Sequence, residues 1–536
     1  MEKSRKAKKR RGRGACIWMA AALTVALTGC GVSERDSIAL SEAPAEEGGQ
    51  NGSYGSAGSA YDFYGTVSGE EYEKNTENGF CNAKEQPLST FSADVDTASY
   101  ANVRRMIENG YRLHDIDPAA VRAEEFINYF TYDLNLPKDG ELFGITAKVA
   151  PCPWQEGHDL MMVGLRTEEI DMSLAPDNNL VFLLDVSGSM ADDNKLPLLQ
   201  KSFKELVNEL DEKDRVSIVT YADGVKTVLK GASGSDKDEI CRALDSLYAD
   251  GGTNGEGGIQ KAYELAEFFR IEGGNNRILI ATDGDLNIGI SEPDELERLV
   301  EEKRKGGVYL SVLGFGTGNL KDNNMERLAD CGNGNYAYID SLFEARKVLV
   351  EEMGATLVTV AEDVKLQVEF NPATVESYRL IGYENRMLEA EDFRDDTKDA
   401  GEIGAGHSVV ALYEITPAGS GEEITLKYQD NNKDKTEEAL PYSDEYATVS
   451  VRYKAPGESA PKMMSFVVSI GERTEVPDED CVFASMVAEF AMILSDSPYK
   501  GTATLEGILE TCSALELEDE YKKEFCQLVR MMAKRE

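Results

Sequence analysis

The stretch NLVFLLDVSGSM, Asn179–Met190, decides how the chain is read. Five apolar residues in a row, Leu180 to Leu184, form a run too short for a core helix and apolar on both alternating faces. That is the mark of a central strand in a parallel sheet covered on both sides. The run ends abruptly in Asp185, Ser187 and Ser189, one acid and two hydroxyls on alternate positions. Open parallel sheets place their ligands at the carboxyl ends of the strands, beside a topological switch point, so chemistry belongs at this end of the run.

Working outward, apolar runs alternate with amphipathic stretches from Asn179 to about Gly354. The pattern predicts strands at Leu180–Val186, Arg215–Tyr221, Val225–Leu229, Arg277–Thr282, Val308–Gly314 and Asn335–Ile339. Helices are predicted at Lys195–Leu210, Asp236–Tyr248, Glu256–Phe269, Asp294–Lys305 and Leu342–Glu352. This is an α/β, doubly wound, Rossmann-like domain over 179–354. Two further polar loops fall at its ligand edge: Gly251-Gly252-Thr253-Asn254 before a helix, and Thr282-Asp283-Gly284-Asp285 after the fourth strand.

The 536 residues exceed the size at which a single core stops growing, roughly 250–300, so flanking domains are expected. Residues 80–174 predict a small α/β module, with Val121, Phe126, Ile127 and Phe130 on one helical face. Residues 355–536 predict an antiparallel sandwich from DVKLQVEFNP, HSVVALYEITP, EEITLKYQD and YATVSVRYK, followed by helices from Asp480 onward. Residues 30–79 are rich in Gly, Ser and Glu without apolar periodicity and read as a flexible tether. Residues 1–29 carry a basic head and a short apolar run, the order of a secretory signal rather than a spanning helix. Leu27-Thr28-Gly29-Cys30 resembles a bacterial lipobox, which makes Cys30 the lipid-bearing residue and the cell membrane, on its extracytoplasmic side, the expected location.

The formal net charge is −42, and removing the basic 1–29 segment makes it −49. So acidic a body repels polyanions, which excludes nucleic acid as a partner. The seven cysteines that follow Cys30 are scattered without a CxxC, so neither a disulfide framework nor a zinc site is expected.

DVSGSM, the threonine of GGTN and the aspartate of TDGD together resemble the metal-ion-dependent adhesion site (MIDAS) of von Willebrand factor type A (VWA) domains, and Asp185, Ser187, Ser189, Thr253 and Asp283 match it residue by residue. FSADVDTASYANVRR, AEEFINYF, PCPW, SVLGFGTGNL, GNGNYAYID and IGYENR are similar to the bacterial VWA lipoproteins called YfbK-like. The resemblance implies a Mg²⁺ or Mn²⁺ ion on the oxygens of Ser187, Ser189 and Thr253, with Asp185 and Asp283 acting mostly through waters. An ion so weakly neutralised has room for an Asp or Glu of a protein partner, and Gly188 permits the tight turn beneath it. The implied protein is a binding or scaffold lipoprotein with no catalysis of its own.

Two other readings stand beside this one. Asp94-Val95-Asp96-Thr97 mimics the DxDxT of haloacid-dehalogenase phosphotransferases and suggests a Mg²⁺-dependent phosphohydrolase with Asp94 and Asp96 at its centre. A structural envelope protein whose metal only stabilises the fold is the other. Gly314-Phe315-Gly316-Thr317-Gly318 lacks nucleotide-loop spacing and reads as a turn, and three dispersed histidines give no triad.

Overall fold

The computed structural model describes residues 70–536 apart from 73, 75, 94–95, 171–174, 253–255, 285–292, 319, 397, 399, 420–441, 443 and 459. The leader 1–29, Cys30, most of the 30–79 tether, Asp94, Thr253 and the strand expected at 422–430 lie outside the described residues.

Before the central domain the chain forms β1 (Leu88–Ser92), α1 (Ala98–Glu108), α2 (Ala123–Asn128), β2 (Phe143–Pro151) and β3 (Asp159–Thr167). The central domain opens with β4 (Asn178–Asp185), α3 (Leu196–Glu209), β5 (Arg215–Tyr221) and β6 (Val225–Ser233). It continues through α4 (Lys237–Asp245), α5 (Glu256–Phe268), β7 (Asn275–Thr282) and α6 (Pro293–Lys305). It closes with β8 (Tyr309–Phe315), α7 (Asp322–Cys331), β9 (Tyr336–Ile339) and α8 (Leu342–Arg346). The last part holds β10 (Thr359–Phe370), β11 (Val375–Ile381), β12 (Ser408–Pro417), β13 (Glu445–Lys454) and β14 (Lys462–Ser469), then α9 (Glu479–Leu494), α10 (Leu505–Ala514) and α11 (Glu520–Ala533).

The deciding run becomes β4, buried along its whole length because helices cover both faces. Phe182 and Leu184 pack with Leu199 and Phe203 on one side, Val181 and Leu183 with Ile259 and Ala262 on the other. Each such side chain contributes about 2 kcal/mol relative to exposure. The sheet order is β9-β8-β7-β4-β5-β6. From β4 the chain moves to β5 on one side and later returns to β7 on the other, so the switch point falls between β4 and β7. Asp185 and Thr282-Asp283 stand at the carboxyl ends there.

Three sequence expectations change. β6 pairs antiparallel with β5, not parallel, since the three residues 222–224 between them can only close a hairpin. A helix over Asp322–Cys331 went unread, because its asparagines and acids mask the buried stripe of Met325, Leu328 and Ala329. The single helix expected at Leu342–Glu352 is α8 followed by a wider π turn over Lys347–Glu351 and a further short helix, Met353–Leu357.

The flanks, read as separate modules at 80–174 and 355–536, interlock. β2 and β3 join a sheet with β12 and β11, and β1 pairs with β10 beside β13 and β14. The two sheets share one core, in which Phe91, Phe143 and Met161 meet Val368, Tyr413 and Val449. A lone hairpin such as β2–β3 cannot bury its apolar face, and strands from the far end of the chain complete it. α1, α2 and α9–α11 gather over this sandwich around Trp154, Phe126 and Phe490. The central domain is thus inserted into one frame. Arg104 on α1 holds it through Asp340 at 2.5 Å and Glu344 at 2.7 Å, and Arg122 through Asp322 at 3.0 Å and Glu326 at 2.6 Å. Among the described residues no helix is long and apolar enough to cross a membrane.

Candidate metal centre

Asp185 is the last residue of β4 and is fully buried. One of its oxygens accepts the Ser187 N–H at 2.9 Å and the other the Thr282 hydroxyl at 3.2 Å, so the loop after β4 and the end of β7 are tied through this carboxylate. Burial, with the nearby charge of Asp283 as a smaller contribution, pushes its carboxyl up to about 6, against the lowering effect of the Ser187 hydrogen bonds. The Ser187 and Ser189 hydroxyls lie 3.0 Å apart, Ser187 buried and Ser189 exposed, so the pair forms a step from the interior to solvent.

The loop is braced from the neighbouring turn. The Gly188 N–H donates to the Gly251 carbonyl at 2.9 Å, and the Asp250 N–H to the Val186 carbonyl at 2.9 Å. A Cβ on Gly188 would stand 3.2 Å from the Gly251 oxygen, so a larger residue crowds the contact that brings the GGTN loop to the site. The Gly252 N–H donates to Asp223 Oδ1 at 2.6 Å, anchoring the same loop from β5's side.

Asp283 follows β7 and is also buried. Its Oδ2 accepts from the Lys195 ammonium at 2.9 Å, while its Oδ1 is buried without a hydrogen-bond partner among the described residues. A carboxylate oxygen left bare in the interior costs free energy unless a cation or a cation-bound water meets it. The donors gathered here are all oxygen, the chemistry of a hard divalent cation such as Mg²⁺ or Mn²⁺. Both observations fit the metal expected from the motif. Among the described residues no group of three or more His, Cys, Asp and Glu is placed to hold a metal.

Four of the five motif residues, Asp185, Ser187, Ser189 and Asp283, thus sit at one edge of the sheet, and Thr253 lies outside the described residues. Two participants escaped the sequence reading. The sequence places Thr282 at a strand end and in the ligand-edge loop without giving it a role, and reads Lys195 only as a helix start. Nothing local distinguishes either residue from its solvated counterparts.

The competing aspartates are differently placed. Asp96 is buried, its Oδ1 accepting the Tyr336 N–H at 2.9 Å and its Oδ2 the Arg386 guanidinium at 3.1 Å. It joins the entrance of α1 to β9 and to the frame, leaving neither oxygen disposed as an acid or nucleophile. Gly316 and Gly318 take positive φ of 77° and 91°, as the turn reading expects. The expectation about cysteines is corrected, since Cys512 on α10 and Cys526 on α11 form a disulfide.

Comparison with known proteins gives three matches to family models: "Uncharacterized protein YfbK, C-terminal" over residues 355–534, "von Willebrand factor" over 66–162, and "von Willebrand factor type A domain" over 179–352. The protein YfbK of Escherichia coli (strain K12) is 42% identical over 474 residues, covering 86% of this chain and 80% of that protein. Inter-alpha-trypsin inhibitor heavy chain H3 of Homo sapiens is 29% identical over 159 residues, 28% of this chain and 18% of its own length. Among solved structures, a von Willebrand factor type A protein from Catenulispora acidiphila aligns with a TM-score of 0.40 at 15% identity, covering 75% of this chain and 91% of that one.

Proposed function

Because the chain belongs to the YfbK-like family of VWA proteins, we propose that it is a lipid-anchored binding protein that captures a partner's carboxylate through a divalent metal. The observation that carries this reading is the bare, buried Oδ1 of Asp283 at the same sheet edge as the paired hydroxyls of Ser187 and Ser189. Ser187, Ser189 and Thr253 would hold Mg²⁺ or Mn²⁺, with Asp185 and Asp283 hydrogen-bonding its waters. The ion supplies Lewis acidity toward an incoming Asp or Glu. The protein supplies the rest: Asp185 fixes the turn through Ser187, and exposed Ser189 leaves the site open to a protein surface.

Cys30 anchors this body outside the cytoplasmic membrane, and the Cys512–Cys526 disulfide supports such a location, since disulfides persist in oxidising compartments. No catalytic step is assigned, and the tied oxygens of Asp96 argue against phosphohydrolysis. The test is a pull-down from envelope extract with the lipid-free chain in Mg²⁺ and in EDTA, run beside Asp185→Ala and Ser187→Ala. Partner bands present only with wild type and Mg²⁺ are expected. Bands indifferent to metal and to both substitutions would move the binding function to the sandwich and helices.

A further inference from the structure

The geometry points to Lys195 as a resident counter-cation of the metal centre, one that sets the charge of the site so that a bound divalent ion retains a single positive charge and one partner carboxylate brings the assembly to neutrality. This rests on the metal reading above and deepens it, giving the reason why the site takes an anion and how many.

Lys195 precedes α3, and its side chain is 6% exposed against 0% for Asp283, with Nζ 2.9 Å from Asp283 Oδ2. Its backbone is held at both ends, the N–H donating to the Asp192 carbonyl at 2.9 Å and its own carbonyl accepting the Leu199 N–H at 2.8 Å. The aliphatic stem lies across Gly316, where a Cβ would come within 2.3 Å of Cγ and 2.4 Å of Cε. Gly316 adopts φ +77°, and its carbonyl accepts the buried Tyr338 hydroxyl, so the turn that admits the stem is itself fixed. The glycine-rich turn after β8 thereby acquires a purpose as the passage through which a lysine reaches the site from below.

The pairing divides the labour of the Asp283 carboxylate. One oxygen is committed to the ammonium, and the other is the bare Oδ1. Asp185 and Asp283 bring two negative charges and Lys195 returns one positive, so that these three groups sum to one net negative charge. A divalent ion turns that to one positive, which a single Asp or Glu cancels. Because both aspartates and Lys195 are buried, their residual charge is weakly screened and weighs on the next binding step. Without Lys195 the two aspartates alone would neutralise the ion, hold it more tightly and leave no excess charge for a ligand.

The experiment uses the full chain in detergent at pH 8, titrated with Mn²⁺ and read by the electron paramagnetic resonance of the free ion. Acetate is then added, and loss of metal-bound water is followed by proton relaxation. Lys195→Met and Lys195→Gln are compared with wild type, the Gln variant removing charge while keeping a hydrogen-bond donor toward Asp283. Both variants are expected to bind Mn²⁺ roughly tenfold more tightly and to lose the acetate response. Damage to the fold would weaken the metal instead, so the direction of change separates charge from structure. Folded variants with unchanged or weaker Mn²⁺ binding, or with an undiminished acetate response, overturn the assignment of Lys195. Wild type that takes up no Mn²⁺ overturns the metal reading itself, and this inference with it.

Discussion

At Asp185 and Asp283 two carboxylates are buried, and the chain tolerates this because, among the described residues, each oxygen but one has a donor. These two residues and both serines were legible in the sequence, since each follows the end of an apolar run and together they match the motif that VWA domains carry. Lys195 was not, because a lysine at a helix start reads as solvated until the fold slides Gly316 beneath it. A half-buried acid away from this site allows a prediction about stability. Glu489 on α9 borders a cavity of about 190 Å³ lined by Met162, Cys481 and Met486, and burial alone pushes its carboxyl from 4.5 up to about 7. The native state therefore favours its protonated form. Its contribution to stability is complete below the unfolded value near 4.5 and is lost as the pH rises through about 7. Glu489→Gln should raise the urea midpoint at pH 8 by an amount corresponding to about 2 kcal/mol and leave it nearly unchanged at pH 4.5. Equal effects at both pH values would show that the carboxyl titrates as in water.

Among the elements, the parallel strands were the easiest to read, because burial on both faces writes an unbroken apolar run such as Leu180–Leu184. α7 and the direction of β6 were harder, the first hidden by polar residues around a narrow buried stripe and the second set by loop length rather than by side chains. α10 and α11 pack beside one another with their own link, Cys512–Cys526, closing a separation of 14 residues. Paired Cys512→Ser and Cys526→Ser substitutions are expected to lower stability by about 2–3 kcal/mol, chiefly by freeing the unfolded chain. The check is a thermal melt with and without reductant, in which wild type under reduction should fall to the variant's midpoint and the variant should not respond.

For the whole molecule, the frame could not be foreseen. The pairing of β3 with β12 or of β1 with β10 joins residues more than two hundred positions apart and leaves no local pattern. The consequence is testable by truncation. A chain ending at residue 354 keeps the inserted domain but strips the β2–β3 hairpin of β12, its partner strand, and uncovers Phe143, Met161 and Val163. It should aggregate, whereas residues 175–354 alone should give a soluble, cooperatively melting domain, because that sheet pairs only with itself. A well-behaved monomer from the longer fragment would show that the flanks are separable after all.

The inserted domain leaves the frame at Thr167, where β3 ends, and rejoins it at Thr359, where β10 begins. One turn fastens both crossings. The Ala405 N–H donates to the Val358 carbonyl at 2.9 Å, the Gly406 N–H to the Glu168 carbonyl at 3.0 Å, and the Thr167 hydroxyl to the Gly404 carbonyl at 2.7 Å. Tension applied at the carboxyl edge of the inserted sheet, where the proposed function puts its partner, would therefore enter the frame along two covalent lines at once, one into each layer of the sandwich, with the 404–407 turn acting as a buckle between them. Such a grip shares its load between two strands and resists peeling, as a strap riveted at both ends outlasts one hung from a single rivet.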